Sequence, residues 1–265
     1  MPITSFIEED EREHGLGRGH TSHGNGKGLG HEKHAAAAME DGEYEINVSG
    51  VNHVNPTGVS QTSAPTVLAD GSTINTEVRE GSITIGTIEG QDGLHLTTDS
   101  NNGRLRLNTV FDEDQQVTLG ELDQLSFQYY VASSSRTDVI PVIRLIVDGD
   151  GNLATTADRG ELVFEYAYQG LGPVTEDEWQ TADLAGDDWV AWQRSNGQNW
   201  DQISNMTTLS DWADANGSTP VGGVNFNEDS VVLGYSIAYG SGNGTGDMYI
   251  DKVNVNGVTT DFVAA

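Results

Sequence analysis

Lysine is almost missing: Lys27, Lys33 and Lys252 are the whole complement in 265 residues. Arginine adds little, since twelve Lys and Arg together face forty-one Asp and Glu, for a formal net charge of −29. That balance argues against a phosphate-binding face built from clustered cations, and so against nucleic acid as a partner. In dilute salt it also makes the compact state repel itself. Molar salt removes the difficulty, because the Debye length falls to roughly 3 Å at 1 M and exposed charges cease to interact. The acids are spread along the chain instead of blocked in a tail, which points to a salt-adapted, archaeal-type protein.

Cysteine is absent. Disulfide stapling, thiolate chemistry and Cys-ligated zinc are therefore excluded. A sandwich of about 200 residues can bury enough apolar surface without such staples. No apolar run approaches the roughly 18 residues of a membrane-spanning helix. Met1 to Gly15 is acidic and lacks the basic and apolar regions of a signal peptide, so no export signal is expected in the chain as given.

What is present divides into three stretches. Residues 1–42 have few apolar side chains and hold five of the seven histidines: His14, His20, His23, His31 and His34. They read as a flexible Gly/His-rich arm, since such a segment buries too little to offset its ordering entropy. Irregular histidine spacing without supporting carboxylates favours a soluble arm over a metal tract. Residues 43–63 read as a bridge, with strand alternation in Glu43-Tyr44-Glu45-Ile46-Asn47-Val48 and a turn at Asn55-Pro56-Thr57-Gly58. Residues 64–265 read as an all-β domain. Strand-like runs are expected at Ser82–Ile88, Leu94–Thr98, Arg104–Phe111, Leu125–Val131, Val139–Val147, Glu161–Tyr168, Val231–Ala238 and Met248–Val255. Gly, Asn and Asp clusters separate them. One short helix is expected at Leu209–Ala215, with Thr208 as its N-cap.

Several of these stretches together resemble a known architecture. They are Gly93-Leu94-His95-Leu96-Thr97-Thr98, Thr118 to Tyr130, Pro141 to Gly151, Glu161-Leu162-Val163-Phe164-Glu165, Trp179-Gln180-Thr181, Trp189, and Tyr249 to Val255. In order and spacing they resemble the jelly-roll domains of extracellular prokaryotic proteins, relatives in shape of carbohydrate-binding modules and concanavalin-like sandwiches. The resemblance covers about two thirds of the chain. It implies an antiparallel jelly-roll β-sandwich in which Trp179 and Trp189 pack the two sheets together; a scaffold by itself implies no activity.

The candidate sites are few. Asp148-Gly149-Asp150-Gly151-Asn152, with Asp158, offers hard oxygens in a Gly-rich loop, as calcium requires. An EF-hand is excluded, because its twelfth-position Glu would fall on Arg159. The bland alternative is Asp-Gly turn chemistry. Asp251 is a second calcium candidate, on the resemblance to jelly rolls that hold a structural ion near the last strand. Trp192 and Trp200 flank the polar stretch Gln193–Asn199 and are the candidate rings for stacking on a glycan. Catalysis finds little support: Glu161 and Glu165 flank Val163 on one strand face, about 13 Å apart along the backbone unless their side chains lean together. Retaining and inverting glycosidases need carboxyl groups about 5 Å or about 6.5–9.5 Å apart. No nucleophile elbow, zincin motif or phosphate loop is present. Sequons at Asn47, Asn205, Asn216 and Asn243 are possible glycosylation sites.

The expectation is a non-enzymatic structural or attachment protein on a haloarchaeal virus particle. Its arm, Met1 to Ser63, would dock on the particle while the sandwich projects for host contact. Expected partners are other virion proteins, further copies of the chain, and a host surface glycan or glycoprotein; calcium is the one cofactor expected. The alternative is a glycan-binding sandwich of a halophilic secreted or cell-envelope protein.

Overall fold

The computed structural model describes residues 42–47, 53–55, 58–64, 66–67, 73–152, 154–195, 206–214, 225–240 and 242–263. The first six strands are β1 (Gly42–Asn47), β2 (His53–Asn55), β3 (Gln61–Thr62), β4 (Thr66–Val67), β5 (Thr73–Arg79) and β6 (Gly81–Ile88). Next come β7 (Gln91–Thr98), β8 (Arg104–Val110), β9 (Val117–Thr118), β10 (Leu125–Ser134), β11 (Val142–Asp148) and β12 (Arg159–Phe164). The last are β13 (Trp179–Asp183), β14 (Trp192–Ser195), β15 (Val231–Gly240), β16 (Gly246–Val255) and β17 (Val258–Val263). Among the described residues α1 (Leu209–Ala213) is the one α-helix. Thr208 caps it, its side chain accepting the Asp211 amide at 3.2 Å, as the sequence leads one to expect.

The strands form two sheets. One runs β1-β17-β16-β7-β6-β2, with β10 also paired to β16 and carrying β13. The other runs β14-β12-β11-β15-β8-β5-β3, with β4 on β5 and β9 on β15. Among the described residues all pairings are antiparallel except β1 with β17, where Gly42 lies opposite Val258. The chain is the expected antiparallel jelly-roll β-sandwich.

Period-2 alternation explains how the sheets bury one another. In β8, Leu105 and Leu107 point inward while Arg104 and Arg106 point out. In β11, Ile143, Leu145 and Val147 are fully buried, and Arg144 stands on the other face. These side chains meet Ile83, Leu96, Phe127, Met248 and Ile250 from the opposite sheet in one core. β11 begins at Val142 and not at Val139, because Pro141 has no amide to donate to a ladder. β15 changes partner partway: Val231 and Val232 pair with β9, and Gly234 onward pairs with β8. Gly234 makes the change at φ +151°, and a Cβ there would lie 2.1 Å from the Thr109 carbonyl oxygen.

The stretch 43–63, expected as a bridge, is woven into both sheets. β1 adds to β17, β2 to β6, and β3 to β5. Of the arm expected over 1–42, Gly42 opens β1 and residues 1–41 lie outside the described residues.

Candidate functional site

The outer face of the β14-β12-β11-β15-β8 sheet carries a cleft of about 450 Å³. Its floor follows from alternation and register. Arg106 sits opposite Ala238, Val142 opposite Ala238 on the other side, Arg144 opposite Val163, and Val163 opposite Trp192. Ser236 and Ala238 on the central strand are small, so long side chains from either flank can lie across it. The walls add Arg104, Arg136, Asp138, Glu165, Tyr168 and Arg194.

Three arginines converge on one carboxylate. Arg106 donates to Glu161 Oε1 at 3.3 Å, and Arg144 and Arg194 donate to Oε2 at 3.2 and 3.3 Å. Burial works to raise the Glu161 pKa, but Arg106, Arg144 and Arg194 overcome it and hold the group below the ordinary carboxylate value. Burial first, and then Arg144, bring Arg106 down to about 10, so it stays charged near neutrality. At the rim Arg136 forks onto Asp138 at 2.8 and 2.6 Å, and Arg104 reaches Glu77 at 3.4 Å.

Glu165 behaves oppositely. It lies one residue past β12, and burial raises its pKa despite the nearby Arg144. The Trp192 indole N–H points at it and works the other way, as a donor that favours the charged form. Arg144 Nε is buried with no partner. Gln169 fixes the adjoining turn by donating to the Glu165 and Val190 carbonyls, at 2.7 and 3.0 Å, and accepting the Val190 amide at 2.8 Å. That turn presents Tyr168, a residue 36% exposed on the cleft wall.

The sequence-derived candidates fall in different places. Trp192 does line the cleft, but it is 7% exposed and packs with Val142, Val163, Ala238 and Met206. It is a wall and not the open stacking platform expected, and Gln193 beside it is a buried β14 residue instead of loop. Trp200 lies outside the described residues. Trp189 is core, meeting Tyr166 edge-on at 6.1 Å. Trp179 packs on Tyr130, with ring centroids 5.7 Å apart, outside that core.

Asp148, Asp150 and Asp158 do come together, each offering an oxygen within 4.8 Å of the others. Asp148 is fully buried: Oδ2 accepts from Arg159 Nε at 2.9 Å, and Oδ1 has no partner. That orphaned oxygen suits a hard cation, which three carboxylates could begin to coordinate. The loop also has turn chemistry of its own. Asp158 Oδ2 accepts the Asp150 amide at 2.9 Å, Asp150 Oδ1 accepts the Asn152 amide at 2.8 Å, and Asn152 Oδ1 accepts the Ala154 amide at 3.2 Å. Asp148 is four residues beyond Arg144 on β11, about 13 Å by strand rise, so an ion there would brace the fold without entering the cleft. Asp251 belongs to the other sheet and joins no such group among the described residues. Its Oδ1 accepts the Phe262 amide at 3.0 Å and its Oδ2 accepts from Gln91 at 2.9 Å. Burial pushes it up to about 6.

Sequence reading missed the five arginines and Tyr168. A signal existed: in a chain so poor in cations, Arg104, Arg106, Arg144 and Arg194 all stand on strands, two of them alternating with buried leucines.

No family model and no curated protein matches the chain. Among solved structures it is similar to the family 11 carbohydrate-binding module of the cellulosomal cellulase Lic26A-Cel5E of Clostridium thermocellum. That match has 12% identity over 83% of this chain and 95% of that one, with a TM-score of 0.39. A second structure of the Clostridium thermocellum module, in complex with a β-1,3-1,4-mixed-linked tetrasaccharide, matches at 12% identity over 81% and 96%, with a TM-score of 0.38. The family 11 xylanase from Neocallimastix patriciarum matches at 13% identity over 76% and 100%, with a TM-score of 0.34. Likenesses this remote transfer neither ligand nor activity.

Proposed function

We propose that the chain is a non-catalytic, glycan-binding β-sandwich whose site is the cleft on the outer face of the β14-β12-β11-β15-β8 sheet. One observation carries the reading: the cleft combines an exposed aromatic residue, Tyr168, with a buried donor that has no partner, Arg144 Nε. A sugar supplies what those groups lack, an apolar ring face to stack and hydroxyl oxygens to accept. The acids are poorly arranged for hydrolysis. Three guanidiniums occupy both oxygens of Glu161, so that carboxylate is not free to attack or to activate water.

Isothermal titration of the full chain at molar KCl with a panel of neutral and acidic oligosaccharides tests the reading. At least one member should bind, and Tyr168→Ala should weaken it by about tenfold, the loss of one stacked ring. A panel with no binder, or binding untouched by Tyr168→Ala, removes the cleft from consideration.

Where the domain is displayed is a separate proposal. The acidity and the Gly/His-rich arm favour a surface subunit of a haloarchaeal virus particle, with the sandwich projecting toward a host glycan and the arm toward other virion proteins. A mass-spectrometric profile of particles banded in a high-salt density gradient decides it. Co-banding of the chain with DNA-containing particles supports that placement, and migration with envelope or free protein excludes it.

A further inference from the structure

We propose that the ligand of this cleft is an acidic sugar, one bearing carboxylate or sulfate groups. The inference rests on the glycan-binding reading and adds the ligand's charge. The chain has nine arginines, and five of them, Arg104, Arg106, Arg136, Arg144 and Arg194, line this one cleft of a protein whose net charge is −29. Their internal partners are too few. Asp138 is committed to Arg136 and Glu77 to Arg104, Glu161 serves three guanidiniums, and Glu165 beside Arg144 is the one further carboxylate on the cleft wall, so five guanidiniums meet four carboxylates.

A purely structural cluster would complete its own hydrogen bonds, since a buried unpaired donor is destabilising. This cluster does not, for Arg144 Nε is left without an acceptor. Crowding three like charges around one acid is also unfavourable, and it shows in Arg106, which burial and the neighbouring Arg144 bring down to about 10. An anionic group in the cleft would relieve both, by accepting from the orphaned donor and adding the missing negative charge. Arginine suits that role better than lysine, because its planar fork grips carboxylate or sulfate oxygens in pairs. Strands on either side of the small Ser236 and Ala238 supply the guanidiniums, so anionic oxygens of one sugar chain could be gripped from both flanks.

The experiment is isothermal titration of the full chain at molar KCl with three probes. They are an oligogalacturonate, a chondroitin sulfate oligosaccharide, and a neutral mixed-linkage β-glucan oligosaccharide. At least one acidic probe should bind about tenfold or more tighter than the neutral one. Oligogalacturonate binding assigns carboxylate as a sufficient group; chondroitin sulfate carries both groups, so loss of binding on its desulfation is what assigns sulfate. Arg194→Gln, at a side chain 40% exposed, should weaken the acidic probe several-fold, and more than it weakens the neutral one, with the near-UV spectrum unchanged. Arg104→Gln, at a side chain 37% exposed, is the second variant and should act in the same direction. Equal or tighter binding of the neutral probe overturns the acidic-sugar inference and leaves the glycan-binding reading intact. Acidic binding indifferent to both substitutions also overturns it, by placing the ligand elsewhere. No binding of any probe overturns both.

Discussion

Replacing Glu161 with glutamine tests the electrostatic picture of the cleft directly. The carboxylate is 18% exposed and accepts from three guanidiniums at 3.2 to 3.3 Å. At an effective dielectric constant near 20, each such pair is worth about 4 kcal/mol before desolvation is subtracted. Desolvation of four charged groups and the mutual repulsion of the arginines cancel most of that sum. Removing the shared partner leaves three cations facing one another, and losses of about 3–5 kcal/mol are usual when one member of a buried pair is deleted. Partial exposure and one retained acceptor put Glu161→Gln near the lower end, about 3 kcal/mol. Arg194→Gln removes only an outer member, whose side chain is 40% exposed, and should cost about 0.5 kcal/mol. Urea unfolding at fixed molar KCl measures both, since urea leaves ionic strength unchanged. The pH dependence supplies a second check. Glu161 has a folded pKa below its ordinary 4.5, so its contribution is present above 4.5 and is lost as pH falls through the lower folded value. The two unfolding curves should converge in strong acid. A glutamine variant as stable as Arg194→Gln, or a gap independent of pH, would refute a Glu161-centred network.

Asp251 should give the opposite pH signature: its pKa is raised from 3.8 to about 6, so its stabilisation is full below 3.8 and is lost as pH rises through 6. Asp251→Asn should therefore gain on the wild type by about 2 kcal/mol between pH 4 and pH 7, and a pH-independent difference in urea midpoints counts against this. Calcium at millimolar concentration should raise the thermal midpoint by several degrees and bind the Asp148 loop, and the paired Asp150→Asn, Asp158→Asn variant should abolish the shift. An unchanged midpoint with calcium leaves the loop as turn chemistry alone. Trp212 is fully buried and its indole donates to the Ala191 carbonyl at 3.1 Å, so Trp212→Ala should lose about 3–5 kcal/mol in the same unfolding assay. A loss below about 1 kcal/mol would mean the helix α1 packs less tightly than its burial implies.

The strands were legible because burial on one face writes a period of two into the sequence, as in Arg104-Leu105-Arg106-Leu107. The N-cap Thr208 was legible because capping is local. The edges were harder. β1 reads as a strand from its alternation, but nothing local says that it joins β17, more than two hundred residues away, in a parallel pair. The cleft was hardest for the same reason. Arg106, Arg144 and Arg194 are far apart in the chain, and they meet at Glu161 only because β15 runs between β8 and β11. Strand order is non-local, so sequence reading measured Glu161 against Glu165 along one strand and did not see the arginines arriving from the side. Trp192 was found by type but misjudged in exposure, because it opens strand β14, which continues through Gln193 to Ser195, the first part of the stretch expected as loop.

The separation of charge in this molecule has a consequence for how salt should act on binding. Acids outnumber cations throughout the chain, and three of the five guanidiniums of the cleft are drawn together against Glu161. At molar salt the Debye length is roughly 3 Å, comparable to the contact distances in the cleft and far shorter than the molecule. The carboxylate shell then exerts no long-range repulsion on an approaching anion, while guanidinium contacts made at hydrogen-bond distance persist. In dilute salt the shell repels the same anion before it arrives. Cation-rich sites that bind anions by counterion release lose affinity steadily with the logarithm of salt. This cleft should do the reverse: within the range where circular dichroism reports the native fold, affinity for an acidic oligosaccharide should rise with KCl and then level off. A steady log-linear fall would mean that long-range attraction dominates, and that the acidic shell is not what the ligand meets first.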